Sequence, residues 1–538
     1  MKKSSIFKIL IGSVVILILF VAYKLLWTTI QPKIENRIDQ IGLTPNEKAA
    51  NGPIPGDVSK YQEEWECCQN LPMPGYLKGL NTAEIANGER SGVFPCASFT
   101  GSFTGPNEVF AWRSQDTFED CTYINNRKPG ELYIVGGCFP PLEGVVPSGP
   151  YIAKADATTG KEIWRTYLEN ANVSGRWIGT PNLNFHENGL IIFSWQNRII
   201  QLDPDSGLIL KLNTIPNGPA LAKDVNFKHL TIAPDGTVIV KNQNRPTGSK
   251  LQGTMAIVDG IQKGLKQANS NLVAVDPNTL EILDEIALEE SSSVPHVITM
   301  YNGKTAIYIG ANKKLYRYFW DPKAKKLSKD SWEVVAMAKG QTTAAAPSII
   351  GDWIVAQTNG VGSETIASSI VVAHKDDPTR TNVIFPFGDL KKGEFSFCMP
   401  KPITDHENDM IYSADMGVAK VAGIKLDQKT GDLKLQFVVN NMTTTFQPLI
   451  GPKDKRVLLL TNMKPNVKKE SNKLAFFTAN YTEQLTWRNA ATGKILAESD
   501  FFEPLVPNSL TTPGYGGRVY FPTKKGFIVM QVKPRKAI

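Results

Sequence analysis

An Asp or Asn followed by turn-formers and then an apolar strand returns again and again along this chain. It reads Asp156-Ala-Thr-Thr-Gly160-Lys-Glu-Ile-Trp164, Asp203-Pro-Asp-Ser-Gly207-Leu-Ile-Leu, Asp276-Pro-Asn-Thr-Leu-Glu-Ile-Leu283, Asp427-Gln-Lys-Thr-Gly431-Asp-Leu-Lys-Leu435 and Asn489-Ala-Ala-Thr-Gly493-Lys-Ile-Leu496, with looser copies from Asp321-Pro322 and Asp377-Pro378. A second signal, a Gly, Asp or Asn turn leading into a β-branched or aromatic strand, occurs at Pro129–Val135, Glu187–Phe193, Pro234–Val240, Asn302–Ile309, Gly351–Val355, Asn408–Tyr412, Lys453–Leu460 and Gly516–Phe521. Units recurring at roughly 45 to 65 residues, each with room for about four short strands, are the period of propeller blades. The predicted fold is all-β: an eight-bladed propeller over residues 105–534. Seven blades is the alternative, because the fifth unit is poorly marked.

The phrase has a physical reading. Strands such as Ile199–Asp203, Leu272–Asp276 and Val421–Asp427 are apolar enough to be buried on both faces between blades. The Asp then accepts backbone N–H bonds as an Asx-turn, and Gly takes the left-handed position. The last unit, Gly516 to Pro534, has no such phrase after it and so lacks an outer strand. Asn107-Glu-Val-Phe-Ala-Trp112 is the candidate to supply it, which would close the ring and remove a free edge.

The N-terminus reads as a membrane segment. Lys2, Lys3 and Lys8 flank an apolar run, and residues 6–27 are long enough to span a bilayer as a helix. Residues 1–5 form a cytoplasmic stub, by the positive-inside bias. No small-residue cleavage site follows the run, which favours an uncleaved anchor. A tether over 28–60 and an irregular Cys-containing segment over 61–104 come next. The propeller is therefore expected outside the cytoplasm, periplasmic or extracellular, on a single-pass membrane protein.

That location permits disulfides. Cys67, Cys68, Cys96, Cys121 and Cys138 are the candidates, stapling the Pro- and Gly-rich stretch around 60–140; Cys398 is remote. Their connectivity stays open. No Cys-x-x-Cys occurs, and the five His form no ligand spacing. His186 and His406 occupy the same loop of different blades and are turn residues first. Asp405, His406, Glu407 and Asp409 form the best local candidate for a cation, without the ligand spacing of a calcium loop. Trp177, Trp195, Trp320, Trp353 and Trp487 read as inter-blade core before stacking platforms. Nucleophile-elbow and phosphate-loop motifs are absent. The formal charge of +8 over 538 residues forms no concentrated basic patch, so nucleic acid is not an expected partner.

Asp156 to Trp164 resembles the repeat of the quinoprotein-like (PQQ-like) β-propeller superfamily, and the resemblance extends over about residues 105–534. The other copies lack the Trp, and three lack the Gly. For its alcohol-oxidising members the resemblance implies a quinone between a Trp and a vicinal disulfide, Ca²⁺ on carboxylate and amide oxygens, and an Asp base. Cys67-Cys68 is an adjacent pair, but it lies upstream of the first repeat, where separate bridges are favoured, and the ligand set cannot be placed.

Two functions follow. The first is a membrane-anchored binding or scaffold module, engaging an envelope protein or a small ligand at its face or funnel, with no cofactor expected. The alternative is a PQQ- and Ca²⁺-dependent dehydrogenase oxidising alcohols or sugars. A hydrolase or sugar-binding propeller is a third, weaker reading.

Overall fold

The computed structural model describes residue 54 and residues 56–535, except 138–149, 169–182, 250–255, 258–259, 261–262, 337–340, 344, 363–364, 399, 446, 468–474, 477–479 and 506–508. The anchor expected over 6–27, and most of the tether, lie outside the described residues. Among the described residues no helix is long and apolar enough to cross a membrane.

Eight antiparallel sheets follow one another around a ring. Their innermost strands are Tyr123–Asn125, Leu183–Phe185, Val225–Ile232, His296–Tyr301, the divided pair Gln341–Thr343 and Ser348–Ile350, Ile403–Asp405, Leu449–Ile450 and Thr512–Gly514. These head blades one to eight. The chain therefore forms the larger of the two propellers expected. The poorly marked fifth unit is a genuine blade whose inner strand is broken in two, both pieces pairing with the long strand Trp353–Gly362.

Burial falls from the hub outwards. In blade two, Ile191–Trp195 is wholly buried while the outer strand Ile209–Thr214 is mostly exposed. The dense apolar runs before each Asp are third strands, packed on both faces between neighbouring blades. Trp195 and Trp353 on second strands and Trp320 and Trp487 on third strands are fully buried, as core rather than open platforms; Trp177 lies outside the described residues. Each such buried large apolar side chain is worth about 1.5–3 kcal/mol.

The Asp phrase closes the hairpin between third and fourth strands. Asp156 Oδ1 accepts from the Thr158 and Thr159 amides at 2.9 and 2.8 Å. The same pair of bonds recurs at Asp203, Asp276, Asp427 and Asn489. The residue four positions on is left-handed each time: Gly160, Gly207, Gly431 and Gly493 at φ between 67° and 81°, and Leu280 at 63° where Gly is missing. Glycine also answers a packing demand here. A Cβ on Gly207 would come within 2.5 Å of the Trp164 ring of the preceding blade.

The ring closes as the sequence predicts. Asn107–Arg113 pairs antiparallel with the last strand, Gly526–Pro534, from Asn107 opposite Pro534 to Arg113 opposite Ile528. A strand from before blade one thus becomes the outer strand of blade eight.

The two faces of the ring differ. One carries the tight turns between first and second and between third and fourth strands. The other carries the inter-blade connections and the second-to-third-strand loops, several of them long: Asn244 to Asn271 in blade three, Ile384 to Ile403 between blades five and six, and Pro465 to Tyr481 in blade seven. Long loops on a rigid scaffold are where binding residues concentrate.

Candidate functional site

The segment expected to be irregular, 61–104, is a plug in the hub. It begins as a helix, Tyr61–Asn70, which ends where Leu71 goes extended ahead of Pro72. The helix docks on blade eight. Its buried Glu64 accepts from the Ser98 and Gly516 amides at 3.1 and 2.6 Å, Tyr61 bonds Arg518, and Trp65 packs on Tyr515.

The chain then crosses the axis on the turn face, held by the inner strands. The Leu80 amide donates to Tyr515 Oη of blade eight at 3.1 Å, and the Ile85 amide to Tyr123 Oη of blade one at 3.2 Å. The Glu84 amide donates to Asn184 Oδ1 of blade two at 2.8 Å, and Tyr76 Oη accepts from Ile232 of blade three at 2.8 Å. Gly88 O accepts from Ile298 of blade four, and Val93–Phe94 pairs in parallel with Leu449–Ile450 of blade seven. Only blade five lacks a direct backbone or side-chain bond to this segment among the described residues.

Arg90 is the centre of the plug and is fully buried. Its guanidinium donates to His296 O at 3.0 Å and Leu230 O at 3.1 Å, and pairs with the buried Glu84 carboxylate. Its own carbonyl accepts from Lys401 Nζ at 2.6 Å, and Lys401 also bonds Ser348 Oγ at 2.5 Å and Pro402 O. One side chain and its carbonyl thus bridge blades three and four to blades five and six. Three hydrogen bonds satisfy Lys401, although burial holds its ammonium well below the ordinary value.

Beside Arg90 the hub is polar and incompletely matched. A bulge in the inner strand of blade three, between Asn226 and His229, disturbs the regular side-chain alternation. Asn226 and His229 are buried, and among the described residues neither amide atom of the first nor ring nitrogen of the second has a partner. On blade seven, on the opposite side of the ring, the amide of buried Gln447 is likewise unmatched. His296 Nδ1 and Thr404 Oγ1 share this state. Burial, reinforced by Lys228, Lys241, Arg90 and His296, holds the His229 imidazole well below its usual pKa; burial and then Arg90 and Lys241 do the same for His296. Both rings are therefore neutral. None of these groups was singled out from the sequence, because an axial position exists only once eight distant strands meet.

The sequence-derived candidates fare differently. Asp405, His406, Glu407 and Asp409 lie on one turn of blade six but do not converge. Asp405 and Glu407 pair with Arg456, His406 Nε2 faces Glu89 at 3.3 Å, and Asp409 binds Lys425 and Gln428 at 3.2 and 3.0 Å. Each acid is already answered by a cation or an amide. His186 is a turn residue, its ring bonded to Gly236 O at 2.9 Å and to the Asn188 amide at 3.1 Å. Among the described residues no group of three or more His, Cys, Asp or Glu is placed to hold a metal ion.

Of the five bridging candidates, Cys67 and Cys96 form a disulfide. Cys68 and Cys121 are instead buried free thiols, as is Cys398; Cys138 lies outside the described residues. Burial pushes Cys68 up to about 12, so it is not a nucleophile. Because Cys67 turns to Cys96, the adjacent pair Cys67-Cys68 forms no vicinal bridge. A quinone with Ca²⁺ does not fit this hub. Cys67 and Cys68 do not form the stacking disulfide that the resemblance implies, and Glu84, a buried carboxylate of the hub, is taken by Arg90, where Ca²⁺ needs several oxygen ligands.

No protein-family model matches the chain, and no curated protein matches its sequence. In fold it is similar to a quinohemoprotein alcohol dehydrogenase from Comamonas testosteroni, with 11% identity, 89% of this chain and 85% of that one covered, and a TM-score of 0.48. It is also similar to BamB from Moraxella catarrhalis, with 11% identity, 76% and 98% covered and a TM-score of 0.41. A europium-containing methanol dehydrogenase gives 10% identity, 85% and 83% covered and a TM-score of 0.41. These likenesses concern fold alone.

Proposed function

We propose that this protein is a binding module: a propeller, held to a membrane on its extracytoplasmic side, that engages its ligand or an envelope partner through the loop face and the hub beneath it. The observation that carries this reading is the plug. A segment of the same chain crosses the hub on the turn face, which leaves the loop face as the side that can receive another molecule. The long connections all lie on that side, where recognition residues are expected. The quinoprotein dehydrogenase remains the alternative, and the use of Cys67 in a bridge to Cys96 weighs against it.

Two experiments test the reading. Crosslinking in intact membranes, with the crosslinker placed on loop-face positions such as Lys263 or Lys391, should recover one specific partner, while turn-face positions such as Lys453 should not. Equal recovery from both faces would refute the assignment. Incubation of the full chain with pyrroloquinoline quinone and Ca²⁺, followed by dye reduction with alcohols and sugars, should give no turnover. Turnover with retained quinone absorbance would establish the dehydrogenase instead.

A further inference from the structure

We propose that the hub beside Arg90 binds a small oxyanion, a molecule bearing a carboxylate or phosphate group, with Lys228 of blade three as its cationic ligand and Asn226 and His229 as hydrogen-bonding partners. The inference rests on the binding-module reading and names the ligand class for that hub.

Three observations point there. Lys228 sits within the bulge, half-buried, and among the described residues its side chain has no hydrogen-bond or ion-pair partner. The residues around it on the inner strand, Asn226 at 0% exposure and His229 at 3%, hold unmatched donors and acceptors, and Gln447 does so across the ring. Buried polar groups in native proteins are matched by protein, water or ligand, and a local concentration of unmatched ones marks a place where something else binds. The sign of the charge selects the class. Around Glu84, already paired with Arg90, the hub gathers Arg90, Lys228, Lys241 and Lys401, so basic groups outnumber acidic ones there. The surplus positive charge suits an anion and repels a metal cation. The ammonium itself behaves as one awaiting a counter-ion. Burial lowers it to about 8, against a partial upward pull from Glu84 and with Arg90 adding to the depression. Charge-assisted bonds to an oxyanion are stronger than neutral hydrogen bonds.

The test uses the full chain in detergent, titrated calorimetrically at constant ionic strength with inorganic phosphate in one arm and succinate in the other. The two arms tell a phosphate-bearing ligand from a carboxylate-bearing one. We expect saturable binding in at least one arm. Lys228→Met should lose at least tenfold in affinity and Lys228→Arg should keep it. Asn226→Asp, nearly isosteric but negative, should lose it with an unchanged circular dichroism spectrum. In the wild type, affinity should fall as pH rises through about 8; the charged or titratable groups acting on Lys228 are Glu84 and Arg90 from the plug and His229 and Lys241 of its own blade. No binding of either probe at millimolar concentration, or binding unchanged in both Lys228→Met and Asn226→Asp, would overturn the proposal. Partner recovery by loop-face crosslinking is read separately, so failure here with an intact partner refutes the anion site alone.

Discussion

The Cys67–Cys96 bridge encloses almost the whole plug, from the end of the helix through Arg90 to Phe94, and it should control how firmly the plug stays in the hub. The perturbation is the double variant Cys67→Ser/Cys96→Ser. The cysteines are 29 residues apart, and the loop-closure relation gives an entropic contribution of about 3.6 kcal/mol for a loop of this length. The bonds from Leu80, Ile85 and Glu84 to blades eight, one and two survive the substitution, so the plugged state itself changes little. What changes is the freedom of the released segment. Opening of the plug should therefore become roughly 400-fold more favourable, since about 1.4 kcal/mol corresponds to each factor of ten. Cys68 offers no replacement bridge, because it is buried and its thiol is pushed up to about 12.

Hydrogen-exchange mass spectrometry reads this directly. Peptides from 74–97 should lose protection by that factor in the double variant, while the middle strands of blade two, such as Ile191–Trp195, should keep theirs. A change of less than about threefold in the plug would show that the bridge does not hold it, since the loop-entropy term would then be missing. An equal loss in plug and blades would show that the plug is not a separate unit at all.

Other substitutions probe the fold and the hub. Gly207→Ala places a Cβ at φ 74° and within 2.5 Å of the Trp164 ring; left-handed strain and overpacking together should cost about 2–4 kcal/mol, seen as a lowered thermal midpoint, and a neutral result would show that blades one and two do not meet there. Arg90→Ala strands buried Glu84 without its cation and should cost about 3–5 kcal/mol, whereas Arg90→Met with Glu84→Gln should recover most of it; denaturant titration of both variants checks the pair. Glu483, fully buried and bonded to Thr444 and to the Leu505 amide, is raised by burial from 4.5 to about 7. A carboxyl raised on folding favours the protonated native state, so its stabilising effect is full below the unfolded value and is lost as pH rises through 7. Wild-type stability should thus fall between about pH 4.5 and 7 by on the order of 3 kcal/mol from this group, and Glu483→Gln should flatten that part of the pH profile.

The blades were legible because their information is local. Each Asp-turn needs only its own hydroxyl or amide neighbours and a left-handed fourth position, and Leu280 shows the conformation persisting even where glycine is missing. The closing strand was legible for a similar reason: blade eight ends without a turn phrase, and Asn107–Arg113 is a strand without a blade. The plug and the hub were not. Residues 61–104 carry no periodicity, because their bonds are spread over most of the blades instead of repeating within the segment. Arg90 reads in sequence as one Arg among many, and becomes the hub only when Leu230, His296 and Lys401 surround it. Asp405–Asp409 misled for the opposite reason. Acids close in sequence look like a cation site until Arg456 and Lys425, brought from other strands, are seen to occupy them.

Latch and plug come from one continuous stretch, and this couples them. Asn107–Arg113 completes blade eight, only ten residues beyond the plug's last buried residue, Ala97, and Thr100 between them bonds Val532 O of the final strand at 2.6 Å. The stretch cannot take its native place until the C-terminal strand exists, because that strand is its partner. Ring closure and hub filling must therefore be late and mutually dependent steps, with the blades between forming their third-to-fourth-strand hairpins earlier from local turns. Shortening the linker of residues 98–106 would then be felt at both ends, as a frayed blade eight and as a loosened plug, whereas lengthening it would cost little, since loop entropy grows only slowly with length.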